Sequence, residues 1–79
     1  MDATERRKKV MQRQPVSSSN IASIGYDQAT QILEVEFLNG TVYQYFNVPL
    51  PVYEGLMGAG SHGTYLNAHI KGQYQYQKV

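Results

Sequence analysis

Tyrosines, two isolated histidines and a cluster of cations are the residues of this 79-residue chain from which chemistry could be built. Tyr43-Gln44-Tyr45 sets two phenol rings two residues apart, and on a strand such residues share a face. An exposed pair of this kind stacks on unpaired nucleic-acid bases at about 1–3 kcal/mol per base. Tyr76 offers a third ring, and Lys71 and Lys78 offer phosphate contacts. Arg6, Arg7, Lys8 and Lys9 add a basic arm that strengthens phosphate attraction. The same residues also fit a plainer role. Tyrosine covers a sheet face readily, its ring packed and its hydroxyl wet, and a charged terminus often only solubilises the chain.

Other candidate chemistries fail on spacing or context. Gly58-Ala59-Gly60-Ser61-His62-Gly63 matches the letters of a dinucleotide fingerprint. That motif must follow a parallel strand, whereas prolines and a helix precede it here. What survives is a glycine-rich corner, where Ser61 and Gly63 with the first amides of the next helix could hold an anion. His62 and His69 would stand about 10 Å apart along one helix, too far to share a metal. Ser61 and His62 are adjacent, so their side chains diverge and no acid orients the histidine. Glu34 and Glu36 face one way on a strand that lacks a pocket to tune them. No catalytic activity, cofactor or metal is expected.

Composition sets the frame for these sites. With no cysteine, disulfide staples and thiolate zinc sites are impossible. So short a chain makes one domain and buries only about 60% of its unfolded surface. No apolar run is long enough for a membrane span or a secretory signal, so the expectation is a cytoplasmic protein. The net charge of +1 hides an asymmetry. Five cations oppose two anions in the first thirteen residues, while the remainder is mildly acidic. An acidic body counts against tight nucleic-acid binding by the domain alone.

The positioning elements follow from hydropathy and turn residues. Residues 1–19 read as a basic, flexible arm and linker, because Pro15 and three serines in Arg13 to Asn20 build no core element. Residues 20–79 read as the domain. Ile21 to Tyr26 is a short strand, and Asp27 to Thr30 a turn. Gln31 to Leu38 alternates through Leu33, Val35 and Phe37, with glutamates between them. Asn39-Gly40 suits a two-residue hairpin turn, with Thr41 to Val48 returning. Pro51 opens a helix through Met57, Gly58 and Gly60 break it, and Ser61 caps a second that closes at Gly72. Tyr74 to Val79 is a terminal strand. The expected fold class is α+β, a small antiparallel meander of three strands followed by two short helices and a C-terminal strand.

The two-residue turn predicts a register. Phe37 would oppose Val42, Val35 would oppose Gln44, and Leu33 would oppose Phe46 on the core face. Tyr43 and Tyr45 would then oppose Glu36 and Glu34 and point away from the core. The expected core is Leu33, Val35, Phe37, Val42, Phe46, Leu56, Leu66 and Ile70.

Taken in order, Ile24-Gly25-Tyr26-Asp27, Leu33 to Phe37, Tyr43-Gln44-Tyr45, Val48-Pro49, Val52-Tyr53, Ser61, Gly63, Tyr65-Leu66-Asn67, Ile70 and Tyr74 form a spaced series. It resembles the KTSC domain, a family named for the C-terminal domain of some lysyl-tRNA synthetases. The chain departs from that pattern at Leu66, where an aromatic would stand. The resemblance implies a non-catalytic domain with a suggested link to RNA or tRNA. The leading expectation is a weak RNA-binding module using Tyr43, Tyr45, Tyr76, the two lysines and the arm. The alternatives are a protein-interaction or homo-oligomer module, and an anion or small-nucleotide site at Ser61.

Overall fold

The structure is a computed structural model, and it describes residues 12–79. Five strands form one antiparallel sheet in chain order: β1 (Arg13–Pro15), β2 (Ile21–Asp27), β3 (Ile32–Phe37), β4 (Val42–Tyr45) and β5 (Tyr76–Lys78). Two helices, α1 (Leu50–Gly58) and α2 (His62–His69), fall between β4 and β5. The α+β class therefore holds, with four strands in the meander rather than three. The additional strand is β1, which pairs with β2 from a segment expected to be linker. Among the described residues no helix is long and apolar enough to cross a membrane.

The β3–β4 hairpin differs from expectation by one residue. Gly40 alone in the turn takes a left-handed φ, +92°, whereas a two-residue type I′ turn requires one at both central positions. Asn39 instead accepts the Thr41 backbone N–H on Oδ1 at 3.0 Å. The Gly40 N–H donates to the Phe37 carbonyl at 2.9 Å, and the Phe37 N–H to the Thr41 carbonyl at 2.8 Å. This is a three-residue loop, a tight turn followed by one left-handed glycine. Leu33 consequently opposes Tyr45 and Val35 opposes Tyr43, while Glu36 opposes Val42. A slip of one residue exchanges the two faces of a strand. Tyr43 and Tyr45 lie on the core face, and Val42 and Gln44 join the glutamates on the outer face.

The core changes accordingly. Ile21, Ile24, Leu33, Val35, Tyr45, Val48, Leu56, Leu66 and Ile70 form the buried cluster. Phe37 packs at its margin. Val42 and Phe46 drop out, since Val42 faces outward and Phe46 lies beyond the end of β4. A register shift between Ile21 and Ser23 keeps Ile21 inward while Ser23 turns outward opposite Glu36. The helices cover the inner face. Pro51 lies in the first turn of α1, where its missing N–H loses no bond. Tyr53 of α1 stacks on Tyr26 of β2 with ring centroids 4.6 Å apart. The Tyr26 hydroxyl donates to the Val48 carbonyl, and burial together with neighbouring Asp27 raises its pKa.

The outer face carries a polar network. Arg13, Gly25, Glu34, Gln44 and Gln77 fall in one row across all five strands. The Arg13 side chain crosses Gly25 and pairs with Glu34, which is only 6% exposed. Gln44 Nε2 donates to the same carboxylate at 2.9 Å. Arg13 Nε donates to Ser23 Oγ at 3.0 Å, and Ser23 Oγ to Glu36 at 2.8 Å. These bonds satisfy a carboxylate that would otherwise be costly to bury.

Candidate functional site

Of the residues singled out by type, Tyr43, Tyr45, Tyr76 and Lys71 line one groove, while Lys78 shares their side of the sheet opposite Tyr43, although by a different route from the expected one. Tyr45 opposes Tyr76 and Tyr43 opposes Lys78 in the β4–β5 ladder. All four side chains therefore rise on the helix-bearing side of the sheet. After α2 the chain turns back, the Lys71 N–H donating to the Leu66 carbonyl at 2.8 Å. That turn buries Ile70 and leaves Lys71 exposed above the end of the sheet. Tyr43, Tyr45, Lys71, Gly72 and Tyr76 enclose a hollow of about 420 Å³.

Within it the rings have unequal duties. Tyr45 forms the floor, being 2% exposed. Burial, with Tyr43 and Tyr76 adjacent, pushes its pKa up to about 12. Tyr43 is half-buried, and its ring stands edge-on to Phe37 at 5.7 Å and to Tyr76 at 5.6 Å. Tyr76 is 61% exposed, so its ring is the one most open to a ligand. The expectation that Tyr43 and Tyr45 are open stacking platforms beside Glu34 and Glu36 is thus corrected. The register places both carboxylates on the opposite face of the sheet, away from the groove.

A second hollow of about 440 Å³ adjoins the first, with Tyr43 and Lys71 as the common wall. Ser19, Asn20, Asn39 and Thr41 supply its polar lining, and Phe37 an aromatic one. Sequence reasoning missed these residues. Asn39 was legible only as a turn residue, and nothing local ties Asn20 to it.

The remaining candidates sit elsewhere. Ser61 caps α2, accepting the Thr64 N–H at 3.2 Å and donating to Thr64 Oγ1 at 2.9 Å. Gly63 is buried against Asn20. Ser61, with Gly60 and His62, lines a separate hollow of about 300 Å³ closed by Ser17, Ser18 and Ser19, and Gly63 is not part of its lining. His62 Nδ1 meets the Leu56 carbonyl at 2.8 Å, while the His69 ring lies against Tyr65. Arg6, Arg7, Lys8 and Lys9 lie outside the described residues.

Comparison with known proteins places this arrangement in context. A family model described as the KTSC domain matches residues 17–74. A solved KTSC domain protein from Yersinia pestis is 45% identical in sequence, with a TM-score of 0.83. The match covers 89% of this chain and 99% of that one. An uncharacterized protein of Stutzerimonas stutzeri is 43% identical over 70 residues, 87% of this chain and 99% of the relative. A lysine–tRNA ligase of a Nostoc species is 44% identical over 61 residues. That match takes in 77% of this chain but only 11% of the ligase.

Proposed function

The chain belongs to the KTSC domain family, and from that premise we propose that it is a non-catalytic module that binds single-stranded RNA weakly through the β4–β5 groove. One observation carries the reading: Tyr43, Tyr76, Lys71 and Lys78 converge on one side of the sheet, with both glutamates of β3 on the other. Rings beside ammonium groups combine base stacking with phosphate attraction, which is what single-strand binding needs. A tRNA-linked role is the finer form of this reading. Its support is the Nostoc lysine–tRNA ligase, which carries a segment similar to this chain.

Titration of fluorescent mixed-sequence single-stranded RNA at two salt concentrations tests the proposal. Each phosphate neutralised contributes about −0.7 to the log–log salt slope for single strands. Replacing Lys71 and Lys78 together by alanine should flatten that slope by about 1.4. Absence of binding at low salt ends the proposal. A second reading rests on β5, whose three residues are all exposed and whose outer edge ends the sheet. Such an edge also suits pairing with another chain. Light scattering that shows a monomer across the micromolar range would remove its homo-oligomer form.

A further inference from the structure

The two outer edges of the sheet are finished differently. In an antiparallel ladder, alternate residues turn their backbone N–H and C=O towards the partner strand and the others turn them away. At the β1 edge the Val16 N–H donates to the Ala22 carbonyl at 3.1 Å. By alternation Gln14 bonds to β2, while Arg13 and Pro15 aim their backbone groups outward. Pro15 has no N–H to offer, so this edge is blunted against a further strand. At the β5 edge the Phe46 N–H donates to the Gln75 carbonyl at 2.9 Å, and the Val79 N–H to the Val42 carbonyl at 2.8 Å. Gln77 therefore bonds to β4, and Tyr76 and Lys78 each present an N–H and a C=O to the open side. Among the described residues no strand takes them. Two of the three exposed large apolar side chains, Tyr76 and Val79, stand on or beside this same edge.

We infer that β5 pairs antiparallel with β5 of a second copy, about a two-fold axis at Gln77. The outward groups of two such strands can meet in register about Lys78, Tyr76 or Gln77. Centred on Lys78, two ammonium groups face each other, which is unfavourable. Centred on Tyr76, the pairing calls on the Tyr74 N–H, which already donates to the Ile70 carbonyl at 3.3 Å. Centred on Gln77, Tyr76 exchanges both backbone bonds with the partner's Lys78, and every outward group of the strand is satisfied. The axis then stands perpendicular to the sheet, so both helix layers lie on one side and the two β4–β5 grooves open on one continuous face. The partner's Lys78 comes beside Tyr76, the most open ring of the groove, and adds a cation to the site. An edge this short buries little surface, so the dimer dissociates in the micromolar range. The inference rests on the edge-pairing reading of β5 and supplies its partner and register, and RNA binding does not depend on it.

Cysteine cross-linking reads the register, because the native chain has no cysteine. Gln77 and the partner's Gln77 form a non-hydrogen-bonded pair, whose Cα atoms lie about 4.5 Å apart, within disulfide reach. Lys78 and the partner's Lys78 lie on a diagonal of about 7–8 Å, at or past the limit of that reach. Under mild oxidation of the full chain, Gln77→Cys should cross-link faster than Lys78→Cys by about ten-fold or more. In sedimentation the native chain should shift from monomer towards dimer between about 10 and 500 µM, the regime of so small an interface. Lys78→Pro removes only an outward N–H and so copies the β1 edge. It should remain folded by circular dichroism and stay monomeric over the same range. Should that variant unfold, the cross-linking rates decide alone. A native chain that is monomeric throughout overturns the dimer, and RNA titration of the same sample shows separately whether the RNA reading stands. A dimer that cross-links equally at both positions, or that survives Lys78→Pro unchanged, overturns the β5 pairing and leaves association through another surface.

Discussion

Tyr43 and Lys78 are direct partners in the β4–β5 ladder, so the last cation of the chain rises beside a half-buried ring. Tyr43 is also the middle of an aromatic series that runs from Phe37 to Tyr76. The groove thus has a continuous ring surface, with Lys71 in its lining. Rings held edge-on by neighbours lose little freedom on meeting a ligand, which favours binding by a preformed surface.

Two tyrosines of the groove, Tyr76 and Tyr45, should separate by experiment. Tyr76→Ala should change stability by less than about 1 kcal/mol, because the ring is largely exposed. It should still weaken RNA binding by about 1–3 kcal/mol. Tyr45→Ala should cost about 3–5 kcal/mol of folding stability, seen as a large fall in the urea midpoint, because the ring is part of the core.

Arg13→Ala should destabilise the fold by about 1–3 kcal/mol, since it strips a buried carboxylate of its main partner. Glu34→Gln in the same background should recover part of that loss. Neither change should alter RNA affinity. The network lies on the face opposite the groove, and screening acts over about 8 Å at physiological salt. A marked gain in RNA affinity for Glu34→Gln would contradict the observed register.

Gly40→Val should cost at least about 1–2 kcal/mol, because a β-branched residue is forced into the left-handed φ of +92°. Thermal melting reads the effect directly. An unchanged melting temperature would mean that the hairpin can close in another way.

Alkaline pH should unfold the protein partly through Tyr45. Its pKa rises from 10.0 to about 12 on folding, so between these values the native state holds a proton that the unfolded chain has released. Stability contributed by this group is whole below pH 10.0 and declines as pH climbs towards about 12. Urea midpoints measured across that window should fall less steeply for Tyr45→Phe than for the native chain. Equal slopes would show that the Tyr45 phenol titrates normally.

Much of this architecture is local chemistry and could be read directly. The alternation from Leu33 to Phe37 makes one face apolar and the other acidic in any register. Gly40 sets the position of the hairpin, Pro51 and Ser61 mark the two helix starts, and the spaced aromatic series carries the family resemblance. Tertiary structure decided which residues meet. The turn holds three residues because Asn39 does not take the left-handed φ that a two-residue turn requires, and Leu38 joins the loop. The bond to Thr41 and the packing of Tyr45 under the helices settle that angle together. Because strand faces alternate with a period of two, that one choice moved Tyr43 and Tyr45 from the glutamate face to the core face. Arg13 shows the same limit: nothing near it in sequence marks a strand, and its partner Glu34 is 21 residues away. Asn20, Asn39 and Lys71 likewise meet around one hollow only after the sheet and α2 have packed. Composition and alternation act between neighbours in sequence, whereas a binding surface is assembled from long-range contacts that no local pattern encodes.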